Sequence, residues 1–462
     1  MAPPILRRRS FLPYPLELLA VALTRMLYHV RSSGTVQFPA TGGALLIANH
    51  LSYVDGLILQ LVCPRKIRFI AFQGLSDHWF FNRCLGSAGV ILISSRRPTE
   101  GIKAAVAALK AGDVVAIFPE GNISRTGQLM QLKRGFEVIA RQARVPVIPA
   151  MVDGLWGSVF SFAGNKYLWK SPRIKRTPVY VAFGARLASG DTEAEEVRKT
   201  MMDLGAAAFE ERPMLRRHLG RECVRSLAKK PGRIVVVDRS VERRPVSAGA
   251  LLAAVGALSR RWRLTIAERR VGIALPPSAG AIIANLAVIC AGKVPVNLNF
   301  TAGRSAIEAA LRQAEIATVI SADAMKEKLP DFPWPAQTLD LRREINGSAS
   351  KVVMAGWLLA VRLLPNQWVA DLMKLPRVGD RDEAALLFTS GSGGNPKGVV
   401  LTHRNILANC AQISSLSILP QDCTMLGSLP IFHSFGFTVT LWYPILRGSK
   451  VVTIPSPLDT RK

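Results

Sequence analysis

Three short runs of small and aliphatic residues each end in a segment rich in functional groups. Gly42–Ala48 runs into Asn49-His50, and Val114–Phe118 runs into Pro119-Glu120-Gly121. Ala384–Thr389 runs into a glycine-rich stretch that closes at Lys397-Gly398. Runs of this kind read as buried strands. Lys103–Lys110 lies between the first two and has a helical pattern, and Val145–Ala150 is a further strand-like piece. Strands alternating with helices predict an α/β unit over about Ser32–Phe209. A charged helical stretch, Glu193–Lys230, then leads to Pro231-Gly232, where we place a boundary.

A second α/β pattern follows. It has strands at Ile234–Val237, Val271–Leu275 and Val294–Val296, with helices at Ala248–Arg261 and Ala281–Ala291. Asp331–Pro335 and Asn346–Ser350 are loop-like. There is no internal repeat and no low-complexity tract. At roughly 150 residues per domain, 462 residues allow about three folding units. The chain is too long and too apolar, at 49% hydrophobic residues, to be disordered.

Sixty Lys and Arg face 32 Asp and Glu, a net charge of +28. The excess is spread over both halves, so it is not a tail. Such a charge informs on partners rather than fold and points to a polyanion. Nucleic acid is disfavoured as that partner, because no helix-turn-helix, RNA-recognition or zinc pattern accompanies the charge. An anionic membrane surface fits better. The six cysteines and six histidines are scattered, which argues against a disulfide framework and a metal site and fits a reducing compartment.

Two long uncharged runs, Val271–Gly292 and Cys423–Leu446, are interrupted by Pro, Gly, Asn or His and read as soluble core. The N-terminus differs. Arg7-Arg8-Arg9 precedes Phe11-Leu12-Pro13-Tyr14-Pro15 and then Leu16–Leu27, which Glu17 and Arg25 break. This is too short and too charged to span a bilayer and lacks a small-residue cleavage site. An interfacial helix over 1–31 is expected. Val352–Leu364, with Trp357 and Arg362 and closed by Pro365, is a second candidate; an ordinary amphipathic helix on a core fits either segment as well.

In Asn49-His50-Leu51-Ser52-Tyr53-Val54-Asp55 an imidazole follows a buried strand and a carboxylate stands five residues on. If a helix starts here, Asp55 reaches one ring nitrogen and raises the basicity of the other, an arrangement suited to removing a proton from an alcohol. By itself H-x₄-D is weak. Phe118-Pro119-Glu120-Gly121 sits at a strand end, where α/β proteins place ligand-binding groups. Together the two segments resemble the glycerolipid acyltransferase family, marked by N-H-x₄-D and F-P-E-G. The resemblance covers about Gly34–Phe209.

That resemblance implies His50 as general base on the acceptor hydroxyl and Asp55 as the group that orients it. An acyl thioester is then attacked and a thiol leaves, with no covalent enzyme intermediate. Glu120 and Gly121 would shape the acceptor site. The family often reads F-P-E-G-T-R-S, whereas Ile123 stands where that Arg would be, so Arg125 is the candidate substitute. A second phosphate-binding block falls on Arg96-Arg97, with Arg96 preferred.

The third run reads Thr389-Ser390-Gly391-Ser392-Gly393-Gly394-Asn395-Pro396-Lys397-Gly398. Small residues let backbone N–H groups close around phosphate oxygens, hydroxyls add donors and Lys397 adds charge. It is not a Walker A loop, because Lys397 lies between Pro396 and Gly398. It resembles the phosphate loop of acyl-adenylate-forming synthetases, with Gly393 where Thr is usual. The resemblance implies Thr389, Ser390, Gly391, Ser392, Gly393, Gly394 and Lys397 as phosphate contacts for ATP with Mg. Leu429–Gly436 also matches, and His433 is either an acyl-pocket residue or a packed core histidine.

An acyltransferase before an adenylating domain resembles the family of bifunctional acyl-[acyl-carrier-protein] synthetase/2-acylglycerophosphoethanolamine acyltransferases. The implied fold is an N-terminal glycerolipid-acyltransferase α/β domain (32–209), a linker (210–231) and an incomplete adenylate-forming large subdomain (232–462). The implied partners are an acyl-carrier protein or CoA thioester donor and a lysophospholipid acceptor, at the cytoplasmic face of the inner membrane. The adenylating motifs expected after Lys462 have no counterpart here. The expectation is therefore a truncated domain that does not adenylate fatty acids alone.

Overall fold

The computed structural model describes residues 14–72, 89–94, 98–165, 176–190, 192–240, 242–389, 396–416, 418–420 and 422–455. It divides into two compact units, Met1–Pro213 and Met214–Lys462.

The first unit opens with helix α1 (Tyr14–Leu27) and strand β1 (Tyr28–Ser33). It continues through β2 (Ala44–Ala48), α2 (Asp55–Val62), β3 (Ile67–Phe72), β4 (Ile91–Ile93), α3 (Pro98–Lys110) and β5 (Val114–Ile117). It closes with α4 (Gly135–Ala143), β6 (Val147–Asp153), β7 (Thr177–Phe183) and α5 (Ala194–Glu210). The seven strands form one sheet in the order β1-β7-β6-β2-β5-β3-β4. Every pairing is parallel except β6 with β7.

The alternation of a strand explains why β2 sits centrally. Ala44, Leu46 and Ala48 join the core on one face, and Leu45 and Ile47 join the core on the other. All five are fully buried, as expected of a parallel strand covered on both sides. Each buried Leu or Ile contributes about 1.5–3 kcal/mol. β2 and β5 are parallel neighbours, so their carboxyl ends lie side by side. His50 follows one and Glu120 follows the other.

The second unit begins with α6 (Leu219–Leu227), inside the segment 210–231 expected as a linker. Leu219, Cys223, Val224 and Leu227 are buried, so this part of the segment is a packed helix. Next come β8 (Ile234–Asp238), β9 (Arg244–Ser247), α7 (Ala248–Thr265), β10 (Arg270–Ile273), α8 (Ala279–Cys290) and β11 (Val294–Asn297). Then follow α9 (Arg304–Gln313), β12 (Thr318–Ser321), α10 (Asp323–Lys328), β13 (Gln337–Asp340), α11 (Leu341–Asn346), α12 (Ser348–Leu363) and α13 (Asn366–Leu372). The unit continues with β14 (Glu383–Thr389), β15 (Lys397–Thr402), α14 (His403–Ser415), β16 (Thr424–Gly427) and β17 (Lys450–Thr453).

One sheet of this unit has the order β13-β12-β10-β11-β14-β15 and a second has β16-β17-β8-β9. Within the first, Arg270 donates to Glu383 Oε1 and Oε2 at 2.8 and 3.1 Å, tying the starts of β10 and β14 together. Asn346–Ser350, expected as loop, holds the end of α11 and the first turn of α12. Both uncharged runs are broken as expected, Val271–Gly292 into the end of β10 and α8, and Cys423–Leu446 into β16 and short helices. Among the described residues, no helix is long and apolar enough to cross a membrane.

Candidate functional site

His50 lies just beyond β2, and Asp55 is the first residue of α2. Asp55 is fully buried and His50 is about one-fifth exposed at its side chain. Asp55 Oδ2 lies 2.8 Å from His50 Nδ1. The same oxygen accepts the Leu51 and Ser52 backbone N–H groups at 2.7 and 2.9 Å. Position at a helix N-terminus also favours its charge. Burial nevertheless raises the Asp55 carboxyl above its ordinary range, offset by His50 and the two amides. Its other oxygen, Oδ1, is buried without a hydrogen-bond partner.

An ionised Asp55 can only accept, so His50 Nδ1 carries the proton and Nε2 presents a lone pair. The ring is held from the side as well. Phe118 stacks on it with centroids 4.3 Å apart and planes 15° apart. Next to it, Asn49 closes a reciprocal pair with Val152 of β6, donating to its carbonyl at 3.0 Å and accepting its N–H at 2.7 Å.

Glu120 is buried, and backbone amides occupy both of its oxygens. Oε1 accepts the His50 N–H at 2.7 Å and Oε2 accepts the Met130 N–H at 2.9 Å. Burial raises its carboxyl too, offset by those amides. Glu120, expected to shape the acceptor site, grips the backbone of the histidine itself. The His50 carbonyl is also held, accepting the Ser124 N–H at 2.8 Å.

Gly121 adopts φ +72°, the left-handed region that favours glycine. A Cβ there would lie 2.5 Å from Lys133 Nζ. The loop 121–134 thus returns an ammonium to the strand end, because the Lys133 N–H donates to the Pro119 carbonyl at 2.9 Å. Lys133 escaped the sequence reading, and Asn49, Phe118 and Ser124 received no role in it. Arg125 is exposed and its guanidinium lies 5.2 Å from the Phe162 ring centroid. Arg96 lies outside the described residues.

In the second unit, Thr389 and Lys397 pair across the β14–β15 hairpin, and both are exposed. Ser390, Gly391, Ser392, Gly393 and Gly394 lie outside the described residues. His433 is exposed, which removes the packed-core alternative. It lies beside Phe432, which makes an edge contact with Phe300. A Cβ at Gly436 would lie 2.1 Å from the Pro430 carbonyl oxygen, so this turn closes only with glycine.

Comparison with known proteins assigns these two units. The model of the AMP-binding enzyme family matches residues 223–462, more than half of the chain. This chain belongs to the AMP-binding enzyme family. The acyltransferase family model matches residues 29–153, the stretch that holds His50, Asp55 and Glu120. An acyltransferase domain therefore precedes the AMP-binding domain, in the order expected from the motifs.

This AMP-binding family member is similar to a long-chain-fatty-acid–CoA ligase of Bacillus subtilis (strain 168), 27% identical over 219 residues, 42% of this chain and 39% of that protein. It is similar to a 1-acyl-sn-glycerol-3-phosphate acyltransferase of Cocos nucifera, 28% identical over 160 residues, 33% of this chain and 49% of that protein. The Bacillus subtilis (strain 168) protein of the same name is 30% identical over 139 residues, 30% of this chain and 65% of that protein. The chain thus spans between 39% and 65% of the length of these curated relatives. A solved O-succinylbenzoate coenzyme A synthetase of Bacillus subtilis, in complex with AMP, matches with a TM-score of 0.40 at 21% identity, over 51% of this chain and 55% of that one.

Proposed function

We propose that the first unit moves a fatty acyl group from a thioester to the hydroxyl of a lysophospholipid. The carrying observation is the His50 Nδ1–Asp55 Oδ2 contact at 2.8 Å. His50 Nε2 takes the proton of the acceptor hydroxyl. The oxygen attacks the thioester carbonyl, the carbon–sulfur bond breaks, and the protonated imidazole returns the proton to the leaving thiolate. An ester and a free thiol result. Asp55 holds the tautomer and balances the charge on the ring, and Glu120 keeps the backbone of His50 in place.

The thioester is carried by an acyl-carrier protein or by CoA. The chain works peripherally at the cytoplasmic face of the inner membrane. On α1, Leu23 and Met26 are 50% and 68% exposed beside exposed Arg25, which supports contact with a lipid surface.

A second reading, acylation of a phosphorylated acceptor such as glycerol 3-phosphate or lysophosphatidate, is favoured by the two relatives named as 1-acyl-sn-glycerol-3-phosphate acyltransferases. Paired assays with lysophosphatidylethanolamine and lysophosphatidate decide between the acceptors. Preference for lysophosphatidylethanolamine supports the first reading, preference for lysophosphatidate supports the second, and transfer to neither overturns both.

The AMP-binding domain would hold ATP. The hydroxyl of Thr389 and the ammonium of Lys397 fit the oxygens of a nucleotide phosphate, and magnesium would arrive on those oxygens. His433, exposed beside Phe432, is the candidate lining residue for the acyl group.

A further inference from the structure

Helix α12 has two unlike faces. One packs on α7, where the Trp357 indole would lie 2.5 Å from a Cβ at Gly256 and Val361 is buried. The other carries Val352, Ala355, Gly356, Leu359 and Leu363 at steps of three and four, all exposed. Val352, Leu359 and Leu363 are 75%, 59% and 71% exposed. Beyond Pro365 the row continues with Trp368 and Leu372 of α13 and then Val378, again more than half exposed. A surface helix ordinarily turns polar residues outward. Apolar rows of this extent mark an interaction site.

The border of the row is basic. Lys351, Arg362, Lys374 and Arg377 are all exposed. Asp371 is the one acid between 347 and 378, and it is neutralised by Arg221 at 2.6 Å and faced by Arg377 at 4.0 Å.

We propose that the outer faces of α12 and α13 dock on an anionic lipid bilayer. Leu359, Leu363, Trp368 and Leu372 enter the acyl boundary while the four cations meet headgroups. Charge selects this occupant. A second copy of a chain carrying +28 would bring one basic rim against another, whereas an anionic surface complements it. The docking face belongs to the AMP-binding domain and does not depend on acyl transfer by the first unit.

The test uses the full chain with phosphatidylcholine vesicles, with and without phosphatidylglycerol. Brominated acyl chains quench a tryptophan that enters the boundary. The expected result is quenching by the anionic vesicles that is lost in Trp368→Phe. Flotation of the double variant Leu359→Glu/Leu363→Glu should show partition reduced about tenfold, with α7 amide protection and acyl transfer to detergent-dispersed acceptor unchanged. Equal partition of parent and double variant overturns the proposal, as does quenching indifferent to Trp368. Self-association without vesicles that the double variant abolishes also overturns it, in favour of a second copy. A chain that docks yet transfers no acyl group leaves this proposal standing and refutes the acyltransferase reading.

Discussion

Glu120 Oε1 accepts the backbone N–H of His50 at 2.7 Å across 70 positions of sequence. The contact exists because β2 and β5 are parallel neighbours, and it fixes the main chain from which the imidazole projects. Glu120→Gln should therefore act on the histidine rather than on the acceptor. Its carboxamide turns an NH₂ towards one of two amide donors, which costs about 1–3 kcal/mol. Steady-state kinetics should show a lower kcat with the KM for acceptor unchanged. A raised KM with kcat intact would mean that Glu120 touches the acceptor.

Asp55 invites a separation of stability from activity. Its carboxyl is raised by burial, so the native state holds its proton more tightly than the unfolded chain does. Stability from this group is present below the unfolded value of about 3.9 and is lost as pH rises through the native one. At neutral pH, Asp55→Asn should leave the thermal midpoint unchanged or higher, while acyl transfer falls by about 10²–10⁴-fold. A large loss of midpoint would show that the ionised carboxylate supports the fold.

Gly121 sits at φ +72° against Lys133. Gly121→Ala must adopt a left-handed conformation at a cost of about 1–2 kcal/mol, and the added methyl group displaces the ammonium. Hydrogen exchange should show weaker amide protection over 114–124. Unchanged protection would place the strain elsewhere.

His218 and His403 are both buried, with ring centroids 4.0 Å apart. Burial pushes His218 down to about 3, helped by His403, and pushes His403 down to about 4. His403 Nδ1 accepts the Leu219 N–H at the start of α6 at 3.2 Å. The unfolded chain binds these protons from about pH 6.5 downward and the native state does not. The stability they contribute is therefore full above pH 6.5 and lost as pH falls towards 4. Each pH unit costs up to about 1.4 kcal/mol per histidine. Amide protection in Leu219–Leu227, corrected for the intrinsic pH dependence of exchange, should fall from pH 7 to pH 5. His218→Phe should flatten that slope, and an equal slope in both proteins would contradict the assignment.

The legible parts of the molecule are the local ones. His50 and Asp55 stand five residues apart, so the turn that leads into α2 brings them together and the pair could be read from spacing. The buried strands were legible too, because runs such as Ala44–Ala48 are apolar on both faces. Glu120 was recognisable as a site residue, but its partner was not, since that depends on which strands lie side by side. Lys133 returns to Gly121 along a loop with no periodicity. The helical pattern of the charged stretch that holds α6 was legible, but its packing was not: a segment expected as linker buries six of the nine residues of this helix. Exposure of His433 follows from the orientation of a three-residue helix, Ser434–Gly436, which no sequence pattern encodes.

The proton acceptor is the centre of the account, and His50→Ala addresses it most directly. The assay measures acyl transfer from a long-chain thioester to lysophosphatidylethanolamine beside the parent chain, with amide protection of β2 and β5 confirming the fold. The account predicts a loss of about 10²–10⁴-fold in kcat with the KM for acceptor little changed. Equal turnover by His50→Ala and the parent would contradict it.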